Sequence, residues 1–159
     1  MIDQAYLKER FRYDPYTGEL VWASGKMTGK AAGCLDSYGY RVVRIGNKGY
    51  KAHRLIWCMV HGSLPRNTID HINGDKSDNR LSNLRDTPMK ENNKNKPLQG
   101  NNRSGVMGVC WNTRERKWES RLKLDGFNHF LGRTKDFFEA VCARKSAENK
   151  LGFHANHGR

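Results

Sequence analysis

The run Asp70-His71-Ile72-Asn73-Gly74-Asp75 sets a carboxylate beside an imidazole, and Asn79-Arg80-Leu81-Ser82-Asn83-Leu84-Arg85 and Glu91-Asn92-Asn93 follow closely. A neutral imidazole can take a proton from water near pH 7. A carboxylate and an amide oxygen are hard ligands for a divalent cation. Hydrolysis of a phosphodiester needs both an activated water and positive charge against the phosphate and the leaving oxygen. By spacing alone the same residues could equally form an ordinary polar turn, because Asn and Asp readily bond to nearby backbone.

The elements around these residues are short. Ile69–Ile72 and Leu84–Asp86 read as two strands joined by a polar loop over 73–79. Thr87 is suited to cap, and Pro88 to begin, a helix over 88–95 that stops before Pro97. Upstream, Leu55, Ile56, Met59 and Val60 recur at helical spacing within 53–61, and Gly62 ends the run. Residues 1–51 read as short strands and turns, with Glu19–Trp22 and the alternating Tyr38–Ile45 as strands. Residues 97–103 lack apolar periodicity and predict a linker. Beyond them Gly108–Trp111, Lys117–Leu122 and Asn128–Gly132 read as strands, and Asp136–Leu151 as a helix capped by Asp136. Residues 154–159 are predicted to fray. The fold class is α+β, divided as 1–51, 52–96, the linker 97–103 and 104–153.

The formal net charge of +13 falls in two places. Residues 1–39 are neutral, 40–100 carry 12 basic and 5 acidic side chains (+7), and 101–159 carry 12 and 6 (+6). A surface biased in this way attracts polyanions, above all nucleic acid. No apolar run approaches the roughly 20 residues of a membrane span, and the N-terminus lacks the pattern of a signal peptide. A cytoplasmic protein is therefore expected, with no membrane and no obligate protein partner. The four cysteines form no C-x-x-C pair and read as reduced thiols.

The stretch Asp70 to Arg85, with His53-Arg54-Leu55 upstream and Asn92 downstream, resembles the HNH endonucleases of phages and mobile introns. The resemblance implies a ββα-metal nuclease core with His71 as general base, Asp70 as a metal ligand and Asn83 pinning the loop and orienting the histidine. It implies Asn92 as the second metal ligand, with Asn93 as the alternative register. Two oxygen ligands without imidazole favour Mg²⁺ or Mn²⁺, one ion per site. The implied activity is metal-dependent cleavage of double-stranded DNA, homing-type and nicking, leaving 5′-phosphate and 3′-hydroxyl ends. A bacteriophage protein acting in the host cytoplasm would fit. Arg54, Arg80 and Arg85 are candidate DNA contacts, whereas His53 reads as structural or as a DNA-backbone contact.

Residues 104–152 resemble the Apetala-type (ethylene-response-factor) DNA-binding domain through Ser104–Trp111, Lys117–Leu122, Phe130-Leu131-Gly132 and Glu139-Ala140-Val141. The resemblance implies a three-stranded sheet on one helix, the sheet's other face lying in a major groove. Arg114, Arg116, Trp118, Arg121 and Lys123 are the candidate contacts, with core packing an equal reading for Trp118. The rival to a nuclease is a non-catalytic, sequence-specific DNA-binding regulator with a decayed nuclease core. An RNA-directed protein is disfavoured by the lack of an aromatic ribonucleoprotein motif.

Overall fold

The computed structural model describes residues 2–159, which form two compact units, 2–89 and 90–159. The first opens with a helix, α1 (Gln4–Arg10), where the sequence reads as strands and turns. Asp3 caps it by accepting from Tyr6 N at 2.8 Å. The helix is two turns long with Leu7 as its one buried residue, so no apolar period marks it. An antiparallel hairpin follows, β1 (Phe11–Tyr13) and β2 (Leu20–Trp22). Next comes a three-stranded sheet in the order β3 (Cys34–Leu35), β4 (Arg41–Ile45), β5 (Lys48–Lys51).

Helix α2 (Ala52–His61) buries Ala52, His53, Leu55, Ile56, Cys58 and Met59, whereas Val60 is exposed. Gly62 ends it, its N–H reaching Cys58 O at 3.0 Å. A second hairpin, β6 (Thr68–His71) and β7 (Leu84–Thr87), closes the unit. One apolar cluster runs from Leu7, Phe11 and Leu20 through Val43 and α2 to Ile69 and Leu84. The N-terminal residues thus share the core on which the β6–β7 hairpin sits.

The second unit opens with α3 (Met89–Asn92), which begins at the boundary and runs into a 3₁₀ turn over Asn93–Asn95. Its sheet has the order β10 (Phe127–Thr134), β9 (Lys117–Leu124), β8 (Val109–Asn112). Asp125-Gly126 forms the two-residue turn between β9 and β10, and the register slips between Phe130 and Gly132. Helix α4 (Phe137–Lys150) is capped by Asp136 and packs on β9 and β10.

The last residues do not fray as the sequence predicts. His154 N donates to Lys94 O, Gly158 N to Lys96 O, and Arg159 O accepts from Leu98 N, at 2.8–3.1 Å. The cause is a buried polar network. Arg144 Nε donates to Glu148 Oε1 at 2.7 Å, and its Nη2 lies 3.2 Å from His157 Nε2. Among the described residues, no helix is long and apolar enough to cross a membrane.

Candidate active site

The β6–β7 hairpin fixes the chemistry-bearing pair. Its register sets Asp70 opposite Arg85 and His71 opposite Leu84, and Asp70 and His71 are only 6% and 4% exposed. Asn83 then closes the intervening loop from both ends. Its Oδ1 accepts from Asn73 N at 2.9 Å, its Nδ2 donates to Asp78 O at 2.8 Å, and its carbonyl accepts from Ile72 N at 2.8 Å. Asp75 accepts from Ser77 N and Oγ. Asp78 is held by Arg80 and Asn73, and the Arg80 guanidinium, the largest influence, brings its carboxyl down to about 2. Both aspartates act as turn formers.

The N-terminal hairpin braces the same loop. Tyr13 Oη accepts from Leu81 N at 2.8 Å and donates to Asn79 O at 3.2 Å. Gly18, at φ +77, abuts the backbone of Asn79 and Arg80; a Cβ there would come within 2.5 Å of Arg80 N. Only glycine combines that close approach with that left-handed backbone at low cost. These bracing residues lie more than 60 positions from the loop in sequence, and no local signal announces them.

Burial drives the His71 imidazole below its usual range, against opposing pulls from Asn79 and Asp70, so it is neutral at pH 7. Its Nε2 lies 3.3 Å from Asn79 Oδ1. Because Asn79 Nδ2 already donates to Ser77 O, Oδ1 is the acceptor and His71 Nε2 carries the hydrogen. The basic lone pair of the neutral ring then sits on Nδ1. Asn79, rather than Asn83, makes this contact to the ring; Asn83 acts on the loop.

His53, on the first turn of α2, is 6% exposed, and its ring stands edge-on to His71 at 5.0 Å between centroids. Tyr40 packs on both, at 5.5 and 6.0 Å. Burial, followed by the nearby His71, Arg54 and Lys51, pushes His53 down to about 3. Its Nδ1 has no hydrogen-bond partner among the described residues. His53 therefore sits beside the proposed base, a position its sequence does not disclose.

Asp70 is paired across the hairpin with Arg85, whose Nε and Nη2 reach Oδ2 at 2.8 and 2.6 Å. Arg85, a candidate phosphate contact from sequence, is thus engaged with a candidate metal ligand. Among the described residues no three His, Cys, Asp or Glu side chains cluster as a metal cage. That donor chemistry fits Mg²⁺ or Mn²⁺, which use one or two protein oxygens and take the rest from water and phosphate. It does not fit a structural zinc site. Asp70, His71 and Asn83 come together in the first unit, while Asn92 and Asn93 belong to the second.

Of the remaining candidate DNA contacts, Arg54 hydrogen-bonds the carbonyls of Pro65 and Asn67, and Arg80 is half exposed. In the second unit Arg114 and Arg116 are exposed at the β8–β9 turn, and Arg121 and Lys123 are exposed along β9. Trp118 alternates with them and packs edge-on between Trp111 and Phe137 of α4, at 5.2 and 4.7 Å, so its contacts are those of packing. Glu119, absent from the sequence reading of the site, is 1% exposed and accepts from Asn112, Arg121 and Arg133.

Residues 50–94 match the HNH endonuclease family. The chain is also similar to Protein 3.8 of Escherichia phage T7, at 32% identity over 96 residues covering 60% of this chain and 78% of that protein. No solved structure matches. The chain belongs to the family of phage T7 Protein 3.8 and carries an HNH endonuclease domain at residues 50–94.

Proposed function

We propose that the protein is a metal-dependent endonuclease that hydrolyses one strand of double-stranded DNA, with residues 52–96 as a ββα-metal core. The observation that carries this reading is a buried, neutral His71 at a strand end beside Asp70, on a loop that Asn83 closes. His71 accepts the proton of a water that attacks phosphorus. The bond to the 3′ oxygen breaks, and that oxygen takes a proton from solvent water, giving 5′-phosphate and 3′-hydroxyl ends. Asp70 and Asn92 would hold Mg²⁺ or Mn²⁺, which supplies charge neutralisation at the phosphate and leaving oxygen. Asn79 fixes the tautomer of His71, and His53 and Tyr40 hold its ring. One such site cuts one strand, so a monomer nicks; homing-type specificity belongs to this reading.

Residues 104–153 supply affinity as an Apetala-type module. Arg114 and Arg116 contact phosphates, Arg121 and Lys123 line the recognition surface, and Arg54, Arg80 and Arg85 add contacts from the nuclease side. The setting is the host cytoplasm.

The test is supercoiled plasmid incubated with Mg²⁺ or Mn²⁺, with and without EDTA. Nicked circles that EDTA prevents are expected; intact plasmid with both metals would overturn the reading. The pairing of Arg85 with Asp70 favours one alternative, a DNA-binding regulator with a decayed core. That protein would retard the plasmid on a gel without nicking it.

A further inference from the structure

Within the second unit, a groove of about 1730 Å³ lies between the segment 93–104 and the sheet, drawing its lining from both faces at the β8 edge. Seven Lys or Arg side chains line it; Lys90, Lys94, Arg121 and Arg144 are paired with Asp125, Glu91, Glu119 and Glu148, and Lys96, Arg103 and Lys123 have no carboxylate partner among the described residues. A small-molecule site occupies roughly 300–1,000 Å³, so the space suits a polymer better than a metabolite. The outer wall is fixed, because Lys96 and Leu98 are tied by backbone hydrogen bonds to Gly158 and Arg159. Two further features point to the ligand. Trp111 is 45% exposed on the lining and offers an aromatic surface. His157, one of the lining residues, is 4% exposed, and its Nδ1 has no hydrogen-bond partner among the described residues.

We propose that this groove binds an unpaired nucleic-acid strand, with Lys96, Arg103, Arg121 and Lys123 on the phosphates and a base stacked on Trp111. Charge complementarity selects a polyanion. The exposed tryptophan selects an unpaired strand, because a base in a duplex has its faces covered by its neighbours, whereas a free base can stack on an aromatic ring. The proposal rests on the reading of this unit as a nucleic-acid-binding module and changes what Arg121 and Lys123 touch. They face a single strand, such as the flank freed beside a nick, instead of a major groove.

The experiment uses the full chain in EDTA, so cleavage plays no part. Fluorescence anisotropy follows dye-labelled oligo(dT), an RNA of the same length and a duplex of that length across a salt series. The unpaired strand should bind at least tenfold more tightly than the duplex, with a log–log salt slope near −2.8, about −0.7 for each of four phosphate contacts. The DNA and RNA arms identify the source of the strand. Trp111→Ala should weaken oligo(dT) binding about tenfold, in line with loss of one stacked base, and Trp111→Phe should restore most of it. Lys96→Glu with Arg103→Glu should flatten the slope by about 1.4. This pair lies in an irregular segment and serves if Trp111→Ala misfolds. Duplex binding as tight as single-strand binding would overturn the groove's role while leaving the module's DNA binding intact. Loss of neither affinity nor slope in the charge-reversed protein would also overturn it. Plasmid nicking in Mg²⁺, scored separately, reports on the nuclease reading alone.

Discussion

The two units bury different chemistry. Among the described residues 2–89, twelve buried side chains form one apolar cluster, and the buried polar groups belong largely to the β6–β7 loop and its surroundings. In residues 90–159 the buried apolar residues are Val109, Leu122 and Ala140, while Asn95, Glu119, Ser120, Arg144, Glu148 and His157 are buried polar or charged groups. An apolar core degrades gradually, each lost methylene removing a share of stability. A buried polar network rigidifies when every member is satisfied and fails when one is lost. The first unit is therefore suited to hold a fixed arrangement of polar groups on the β6–β7 hairpin. The second depends on a few charge pairs.

The largest expected effect sharpens that division. His71→Ala should lower plasmid nicking by roughly 10²–10⁴-fold, the usual contribution of a general base, while DNA retention on gels stays near wild type. Nicking at the wild-type rate in the purified variant would remove the chemistry from this hairpin. Next, Arg144→Ala should destabilise the second unit by about 1–3 kcal/mol, because Glu148 keeps Lys145 but loses its buried guanidinium partner, and Arg121 O loses its donor. Urea unfolding followed by hydrogen exchange should show protection lost in β8–β10 and α4 and kept in α2. A loss under about 1 kcal/mol would mean that the network is better solvated than its geometry shows.

Acid should affect both units with the same sign. The folded-state values of His53 and His157 are lowered by burial. Their contributions are full above the unfolded value near 6.5 and are lost as pH falls; for His53 the loss runs down to about 3. Glu148, also lowered, adds its own loss below its ordinary carboxyl range. Stability should therefore drop by a few kcal/mol between pH 7 and pH 4. His53→Phe should flatten the first unit's share, and an equally steep profile in that variant would assign the drop to other groups. The smallest effect is expected at the loop brace. Tyr13→Phe removes the acceptor of Leu81 N and should cost about 1 kcal/mol. Its signature is faster exchange at 79–83 with little change elsewhere.

The residues that would carry the chemistry were legible because they are consecutive. Asp70-His71, the polar loop and Asn83 sit within one hairpin, and turn-forming residues announce it. The three-strand-and-helix order of the second unit was legible too, since Asp125-Gly126 and Asp136 mark their turn and cap. What escaped depends on distance or on burial of polar groups. Helix α1 is too short to show a period, and Tyr13 and Gly18 act across more than 60 residues. His157, seven residues beyond the end of α4, looks like tail until Arg144 and Glu148 are seen to bury it. His53 and Tyr40 read as helix and strand residues, and only the packing sets them against His71.

The contact of Gly18 and Tyr13 with the loop bears on how this HNH domain can be rearranged. The segment that matches the family begins at residue 50, yet the phenol and the glycine turn holding its loop lie well before it. A chimera that transplants residues 50–94 alone would leave its scaffolding behind, whereas a graft of residues 11–87 carries donor and brace together. Damaging substitutions should accordingly accumulate at Tyr13 and Gly18 as readily as within the motif, in a stretch that a motif-centred survey of variants would pass over as dispensable.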